Sequence, residues 1–181
     1  MKRLPPGLML AALGMSIAVS LLMLFAAGVT SSVILSALCV FVASLMTWVP
    51  IREENGLIVS AIEFGVVTAV SLLICRRSVY TYLYILLFGN YALVRFYLRT
   101  HVRDWLMTAL LRMLFFNVMT AIGIAFAQYV LGYDVMTLVP RLSVWAAFGI
   151  VEGIFILFML IYNFFSYLFD SALRTKLLPR R

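Results

Sequence analysis

Glu63 is the residue of this sequence whose chemistry most needs an explanation. It lies in the stretch LIVSAIEFGVVTAVSLL, residues 57–73, which is apolar enough to cross a membrane. A carboxylate inside a span is costly unless it is paired or hydrated. Arg112 is expected at a similar depth in another apolar stretch, so we expect an ion pair between Glu63 and Arg112. A role for Glu63 as a proton carrier or a substrate anchor is the alternative.

A second carboxylate, Glu152, lies near the middle of the apolar segment FGIVEGIFILFMLIYNFF, and no basic residue is expected at its depth. We expect it either to form a hydrogen bond to Asn117 or Gln128 as a neutral acid, or to contact a substrate. Asn117 and Gln128 share one face of the preceding apolar segment, with Ala121 and Ala125 between them at helical spacing. This small and polar stripe either packs against a neighbouring helix or lines a cavity.

Aromatic rings recur at helical spacing in the apolar segment that precedes the segments of Asn117 and Glu152. Tyr84, Phe88 and Tyr91 share a face, and Asn90 lies beside it. Such rings pack in a core or stack on a flat ligand. If the three segments converge, they form one aromatic-walled cavity, the best small-molecule site that the sequence offers. The substrate-binding residues expected there are Glu152, Asn117, Gln128, Tyr84, Asn90 and Tyr91.

The composition is that of an integral membrane protein. Hydrophobic residues make up 65% of the 181 positions and charged residues 12%, against about 25% charged residues in soluble proteins. One transmembrane domain, residues 1–181, fills this length and leaves no room for a soluble domain. The excess of basic residues, 14 against 7 acidic, is explained by insertion topology, so we expect membrane lipids and no nucleic acid as partners.

Charged residues, Pro and Gly separate six apolar segments. They predict an all-α bundle of six transmembrane helices, because lipid offers backbone polar groups no partner outside their own segment. The boundary between the first and second segments is the least certain to separate two helices, since AAGVTSS provides only a short turn. The expected helices span residues 7–28, 30–49, 56–75, 79–95, 106–131 and 143–169.

The basic residues orient this bundle. With both ends in the cytoplasm, the inner side holds ten of them and the outer side three. This asymmetry follows the positive-inside rule and predicts a multi-pass protein of the inner or plasma membrane. The ten are Lys2, Arg3, Arg52, Arg95, Arg99, Arg103, Arg174, Lys176, Arg180 and Arg181; the three are Arg76, Arg77 and Arg141.

The sequence contains no pattern typical of catalysis or of a metal site. Cys39 and Cys75 lie in apolar segments without CxxC spacing, so we expect two buried thiols. No Ser/His/Asp set and no phosphate-binding loop are visible. We therefore expect a protein that is not an enzyme and has no cofactor or metal.

Small residues recur every four positions in the first apolar segment. Ala12, Ser16 and Ser20, in the stretch AALGMSIAVS, allow close approach of another helix, either within the bundle or from a separate membrane subunit. In its length, its six expected helices, this small-residue face and the polar residues of helices four to six, the chain resembles the substrate-binding S component of energy-coupling factor transporters. The resemblance extends over the whole chain and is one of architecture.

The resemblance implies a vitamin-like substrate held by helices four to six, with Asn117, Gln128 and Glu152 as contacts. It also implies that the small-residue face of helix one docks on a membrane coupling subunit, which two cytoplasmic ATPases energise. The alternative is a structural subunit without a substrate, similar in size to the small polytopic subunit of the bacterial cell-shape machinery. A channel or ion-coupled carrier, in which water reaches Glu63 or Glu152, is a third class.

Overall fold

The computed structural model describes residues 6–48, 56–75, 78–130, 132 and 144–177. Every regular element in these ranges is helical, as the composition predicts. A π-helical turn, Tyr84–Phe88, lies between the fourth and fifth α-helices. The α-helices are α1 (Pro6–Val29), α2 (Val33–Met46), α3 (Gly56–Ile74), α4 (Val79–Leu83), α5 (Tyr91–His101), α6 (Trp105–Tyr129) and α7 (Val144–Leu177).

Four of the described helices are long and apolar enough to cross a membrane. The fifth apolar helix, α2, is shorter, since its 14 residues rise only about 21 Å against a hydrocarbon core of about 30 Å. The chain is therefore a helical membrane protein. The four spanning stretches are Leu10–Val29, Leu57–Ile74, Trp105–Tyr129 and Phe148–Leu168.

Some of the sequence predictions concern residues outside the described ranges. Three expected helix ends, at residues 49, 131 and 143, are among them. So are most of the basic residues that orient the expected bundle. These are Lys2, Arg3, Arg52, Arg76, Arg77, Arg141, Arg180 and Arg181.

The boundary between α1 and α2, the weakest in the sequence, is a turn. α1 ends at Val29, and Ser32 caps α2 by accepting a hydrogen bond from the backbone N–H of Leu35 at 3.4 Å. The Ser36 hydroxyl donates to the carbonyl oxygen of Ala27 at 2.9 Å, across this turn. The first two expected helices are therefore separate elements.

The fourth expected helix, residues 79–95, is interrupted. In the π-helical turn the backbone N–H of Gly89 donates to the carbonyl of Tyr84 at 2.7 Å, five residues back. The α-helix resumes after Asn90 as α5. Gly89 is required there, because a Cβ at this position would lie 2.7 Å from Cζ of Tyr84 and 2.8 Å from Cε2 of Phe64.

The chain divides into two compact units, Met1–Gly123 and Ile124–Arg181. The second unit holds α7, in which the buried rings of Phe155, Phe158 and Tyr162 follow one another at helical spacing. In the first unit, α1, α2, α3 and the π-helical turn enclose the core. Its buried hydrophobic residues are Leu24, Ala27, Cys39, Val40, Ala43, Val67 and Tyr84.

Candidate functional site

Glu63 is a fully buried acidic side chain of the first unit. Ser60, Glu63, Val67 and Ser71 follow one another in α3 at intervals of three and four residues, and all four are buried. This face of α3 therefore points into the unit, and Glu63 is 0% exposed. Neither of its carboxyl oxygens accepts a hydrogen bond from a described residue.

Hydroxyl groups lie close to the Glu63 carboxyl. The Ser16 side chain of α1 lies on the same side as this carboxyl, and its hydroxyl donates a hydrogen bond to the carbonyl oxygen of Leu13 at 2.9 Å. Tyr84 of the π-helical turn lies near the same carboxyl, and its hydroxyl lies 3.4 Å from Oγ1 of Thr47. We call Ser16, Thr47, Ser60, Glu63 and Tyr84 the polar cluster.

Serine hydroxyls join the helices around the polar cluster. Ser60 of α3 donates to the carbonyl oxygen of Thr47 at 2.5 Å, and Ser44 of α2 donates to that of Phe88 at 2.6 Å. Ser20 of α1 donates to a backbone carbonyl of α2 at 3.3 Å. Such bonds between helices stabilise a bundle whose surroundings offer no competing water. The polar cluster is therefore held by α1, α2, α3 and the π-helical turn together.

Most of these hydroxyl residues were not predicted from the sequence. Their spacing contained a usable signal, because Ser36, Ser44 and Thr47 recur on one side of α2 and its C-terminal cap, with small residues between them. Small polar residues that repeat at helical spacing in an apolar helix indicate its packed side. The residues missed are Ser36, Ser44, Thr47, Ser60 and Thr81, all 0% exposed.

The helix face expected to dock on a partner is used inside the first unit. Ser16 and Ser20 are buried, and Ala12 is half-buried, because α2 and α3 both pack against α1. A different side of α1 is exposed and also carries small residues. We call it the outer face of α1; its small residues are Gly7, Ala11, Gly14 and Ala18.

The ion pair expected between Glu63 and Arg112 is not formed. Arg112 of α6 lies beside Tyr91 of α5, and its Nε has no hydrogen-bond partner among the described residues. Glu63 is instead turned toward Ser16 of α1. Similar depth in two helices does not suffice for pairing, because the two charged faces must also point at each other.

A double-mutant cycle tests this separation. We expect the effects of Glu63→Gln and Arg112→Gln on the free energy of unfolding to add within about 0.5 kcal/mol, as for sites without shared partners. Unfolding in detergent can be followed by reaction of the buried Cys39 thiol with a fluorescent maleimide, in a Cys75→Ser background. A coupling energy clearly above this value would show that the two charges do interact.

The predicted substrate-binding residues are divided between the two units. Tyr84 belongs to the polar cluster, whereas Tyr91 lies beside Arg112, so the two rings have different partners. Asn90 donates to the carbonyl of Leu86 at 3.2 Å, within its own helical segment. The first unit holds Tyr84, Asn90, Tyr91 and Asn117, and the second holds Gln128 and Glu152.

In the second unit, Glu152 is half-buried, and its Oε2 has no hydrogen-bond partner among the described residues. Phe155 and Tyr162, which share its side of α7 by spacing, are buried. Gln128 is exposed. The carboxyl of Glu152 thus retains the capacity for a polar contact that the sequence suggested.

A shallow cleft of about 200 Å³ lies between α1 and α3 in the first unit. Its lining is almost entirely apolar, so it suits an acyl chain or an apolar side chain better than a polar molecule. The residues that line it are Leu21, Leu22, Phe25, Ser71, Ile74 and Cys75.

We compared the chain with protein-family models, with curated proteins and with solved structures. No family model, curated protein or solved structure matches it. The function therefore has to be inferred from the chain's own residues and geometry.

Proposed function

We propose that this chain is the membrane-embedded, substrate-binding subunit of an uptake transporter for a vitamin-like small molecule. It crosses the cell's inner membrane six times, with both ends in the cytoplasm, and docks on a membrane coupling subunit that cytoplasmic ATPases energise. Docking uses the outer face of α1. The single observation that supports this proposal is the exposure of small residues along that face.

The outer face of α1 allows close approach of a partner helix. Gly7, Ala11, Gly14 and Ala18 are separated by four, three and four residues, so they lie on one side of the helix. A Cβ at Gly7 or Gly14 would have no described atom within 4 Å, so packing against the described residues does not require glycine at either position. In lipid, small residues on one face let helix backbones approach, and van der Waals contact then holds them together.

The same side of α1 continues toward its C-terminal end with large apolar side chains. Leu22 is 65% exposed, Phe25 is 52% exposed and Val29 is 71% exposed. Leu22 and Phe25 also line the apolar cleft beside α3, and this cleft would receive an apolar side chain of the partner. A partner helix could therefore contact α1 along most of its length.

The substrate contacts in this proposal are Glu152 and Gln128, both of the second unit. Glu152 has the strongest support, because its half-buried carboxyl has an oxygen without a described hydrogen-bond partner. Such a group binds a cationic or hydrogen-bond-donating part of a ligand. Tyr84 is excluded from this set, since its ring and hydroxyl are both engaged in the polar cluster.

Substitution of Gly14 by leucine tests the docking. We expect Gly14→Leu to abolish co-purification of the membrane partner from native membranes, because the new side chain separates the two helix backbones. Gly65→Leu is the matched control: Gly65 is an exposed glycine of α3, and a Cβ there also meets no described atom within 4 Å. This control should retain the partner, and both variants should unfold like the parent chain. Equal recovery with both variants would contradict docking through α1.

The identity of the partner separates the transporter from a structural subunit. The structural alternative is favoured by the serine hydrogen bonds between α1, α2 and the other helices, because a tightly joined bundle can present α1 to a partner without holding a substrate. Recovery of an ATPase, together with a small molecule in native mass spectrometry, supports the transporter. A membrane partner without an ATPase or a small molecule supports the structural subunit.

A further inference from the structure

Exposed basic residues surround the junction between α5 and α6, which a connection of three residues joins. Arg99, His101 and Arg103 are all exposed there, and we call these three residues the basic surface. Asp104 is the one acidic residue of the segment 99–105. Its carboxylate accepts a hydrogen bond from the backbone N–H of Leu106 at 2.9 Å, so it caps the first turn of α6.

The basic surface lies at the edge of the membrane, because α6 is one of the helices that are long and apolar enough to span it. The apolar stretch of α6 begins at Trp105, and the Cα atom of Arg103 is at most about 7 Å from that of Trp105. Headgroups extend about 5–8 Å beyond the hydrocarbon core on each side. Trp105 is 79% exposed and Tyr97 is 52% exposed, as is typical of aromatic residues at this interface.

The ring of His101 is held in one orientation and one tautomer. It stacks on the Tyr97 ring, with the centroids 4.2 Å apart and an angle of 24° between the planes. Its Nδ1 lies 2.9 Å from the carbonyl oxygen of Tyr97 and 2.9 Å from Oγ1 of Thr100, whose hydroxyl donates to backbone carbonyls of the same helix. A carbonyl oxygen can only accept, so Nδ1 carries the hydrogen of the neutral ring, and a second proton binds at Nε2.

Protonation of His101 changes the net charge of the segment 99–104. With two arginines and one aspartate, this segment has a net charge of +1 when the ring is neutral and +2 when the ring is protonated. An imidazole gains its charge as the pH falls through the range of about 8 to 5. The elements packed against α5 are α2, α3 and the π-helical turn. Their titratable groups are all buried, and these are Cys39, Glu63 and Tyr84.

We propose that the basic surface binds the headgroups of anionic phospholipids, and binds them more tightly when His101 is protonated. The guanidinium groups of Arg99 and Arg103 match the geometry of a phosphate, and the protonated ring adds the N–H of Nε2. Basic residues next to a spanning helix attract anionic lipid, and such lipid surrounds α6 where the surface lies. This proposal depends on α6 crossing the membrane and is independent of docking through the outer face of α1.

Quenching of Trp105 fluorescence by brominated lipid tests the proposal. The full chain carries Trp48→Phe and Trp145→Phe, so that Trp105 is the only tryptophan, and is reconstituted in phosphatidylcholine vesicles. An equal fraction of either brominated phosphatidylglycerol or brominated phosphatidylcholine is then included. We expect the anionic lipid to quench Trp105 more strongly, with a several-fold preference in binding. This preference should be greater at about pH 5 than at about pH 8.

Substitutions in the basic surface separate its contributions. Arg99→Gln combined with Arg103→Gln should remove the preference, whereas Arg99→Lys combined with Arg103→Lys, the matched control, should retain it because the charge is kept. His101→Gln should remove only the dependence on pH. Equal quenching by the two lipids in the parent chain would overturn the proposal and leave the surface to an acidic protein partner. A preference that survives the double glutamine substitution would overturn it too, as would a preference that inorganic phosphate abolishes at constant ionic strength.

Discussion

Replacement of Tyr84 by alanine should lower the free energy of unfolding by about 3–5 kcal/mol, the range for truncation of a large buried aromatic side chain. Tyr84 is 0% exposed, and its ring centroid lies 5.9 Å from that of Phe64. Its removal leaves a cavity at the point where α2, α3 and the π-helical turn meet. Tyr84→Phe removes only the hydroxyl near Thr47, so it should cost about 1 kcal/mol.

The reactivity of the Cys39 thiol measures the change in the free energy of unfolding, because Cys39 belongs to the same buried core as Tyr84. The variants are compared in a Cys75→Ser background, in which Cys39 is the only thiol that unfolding can expose. Tyr129→Ala is the matched control, since Tyr129 is 83% exposed. If Tyr84→Ala and Tyr129→Ala shifted the unfolding transition equally, the π-helical turn would not occupy the core as described.

Two glycine-to-alanine substitutions should have opposite effects. Gly89→Ala should destabilise the first unit by about 1–3 kcal/mol, because its Cβ meets the buried rings of Tyr84 and Phe64 at less than 3 Å. Gly65→Ala should be neutral or stabilise by up to about 1 kcal/mol, since a Cβ at Gly65 meets no described atom within 4 Å and alanine favours the helical backbone.

The same Cys39 assay distinguishes these two outcomes. The contrast isolates the close approach at Gly89, because both substitutions add one methyl group to a helical glycine of the first unit. A stabilising Gly89→Ala would indicate a regular α-helix from α4 into α5, with no π-helical turn and no contact between Gly89 and Tyr84.

Long apolar stretches made several helices predictable from the sequence. The first helix was expected at residues 7–28 and extends over Pro6–Val29, and the third was expected at 56–75 and extends over Gly56–Ile74. Their length alone excludes most alternatives in a membrane. The π-helical turn was not predicted, because a shift from four-residue to five-residue hydrogen bonding leaves almost no trace in hydrophobic periodicity.

The direction in which each helix face points was the part that the sequence could not supply. Periodicity places Ser16 and Ser20 on one side of α1, but it does not decide whether this side meets α2 or a separate protein. The depth of Glu63 was likewise estimated without knowledge of its rotation about the helix axis. The polar cluster, to which α1, α2, α3 and the π-helical turn all contribute a hydroxyl, follows from these rotations.

The early end of α2 has a consequence for the surrounding bilayer. A helix of about 21 Å would leave its last carbonyl groups at a depth where lipid supplies no hydrogen-bond donor. Here the Ser60 hydroxyl reaches the carbonyl of Thr47, and the Arg95 guanidinium covers the adjacent Trp48 ring. The neighbouring helices thus provide polar contacts at this terminus, so the acyl chains around a membrane-embedded α2 would not need to compress to match its length.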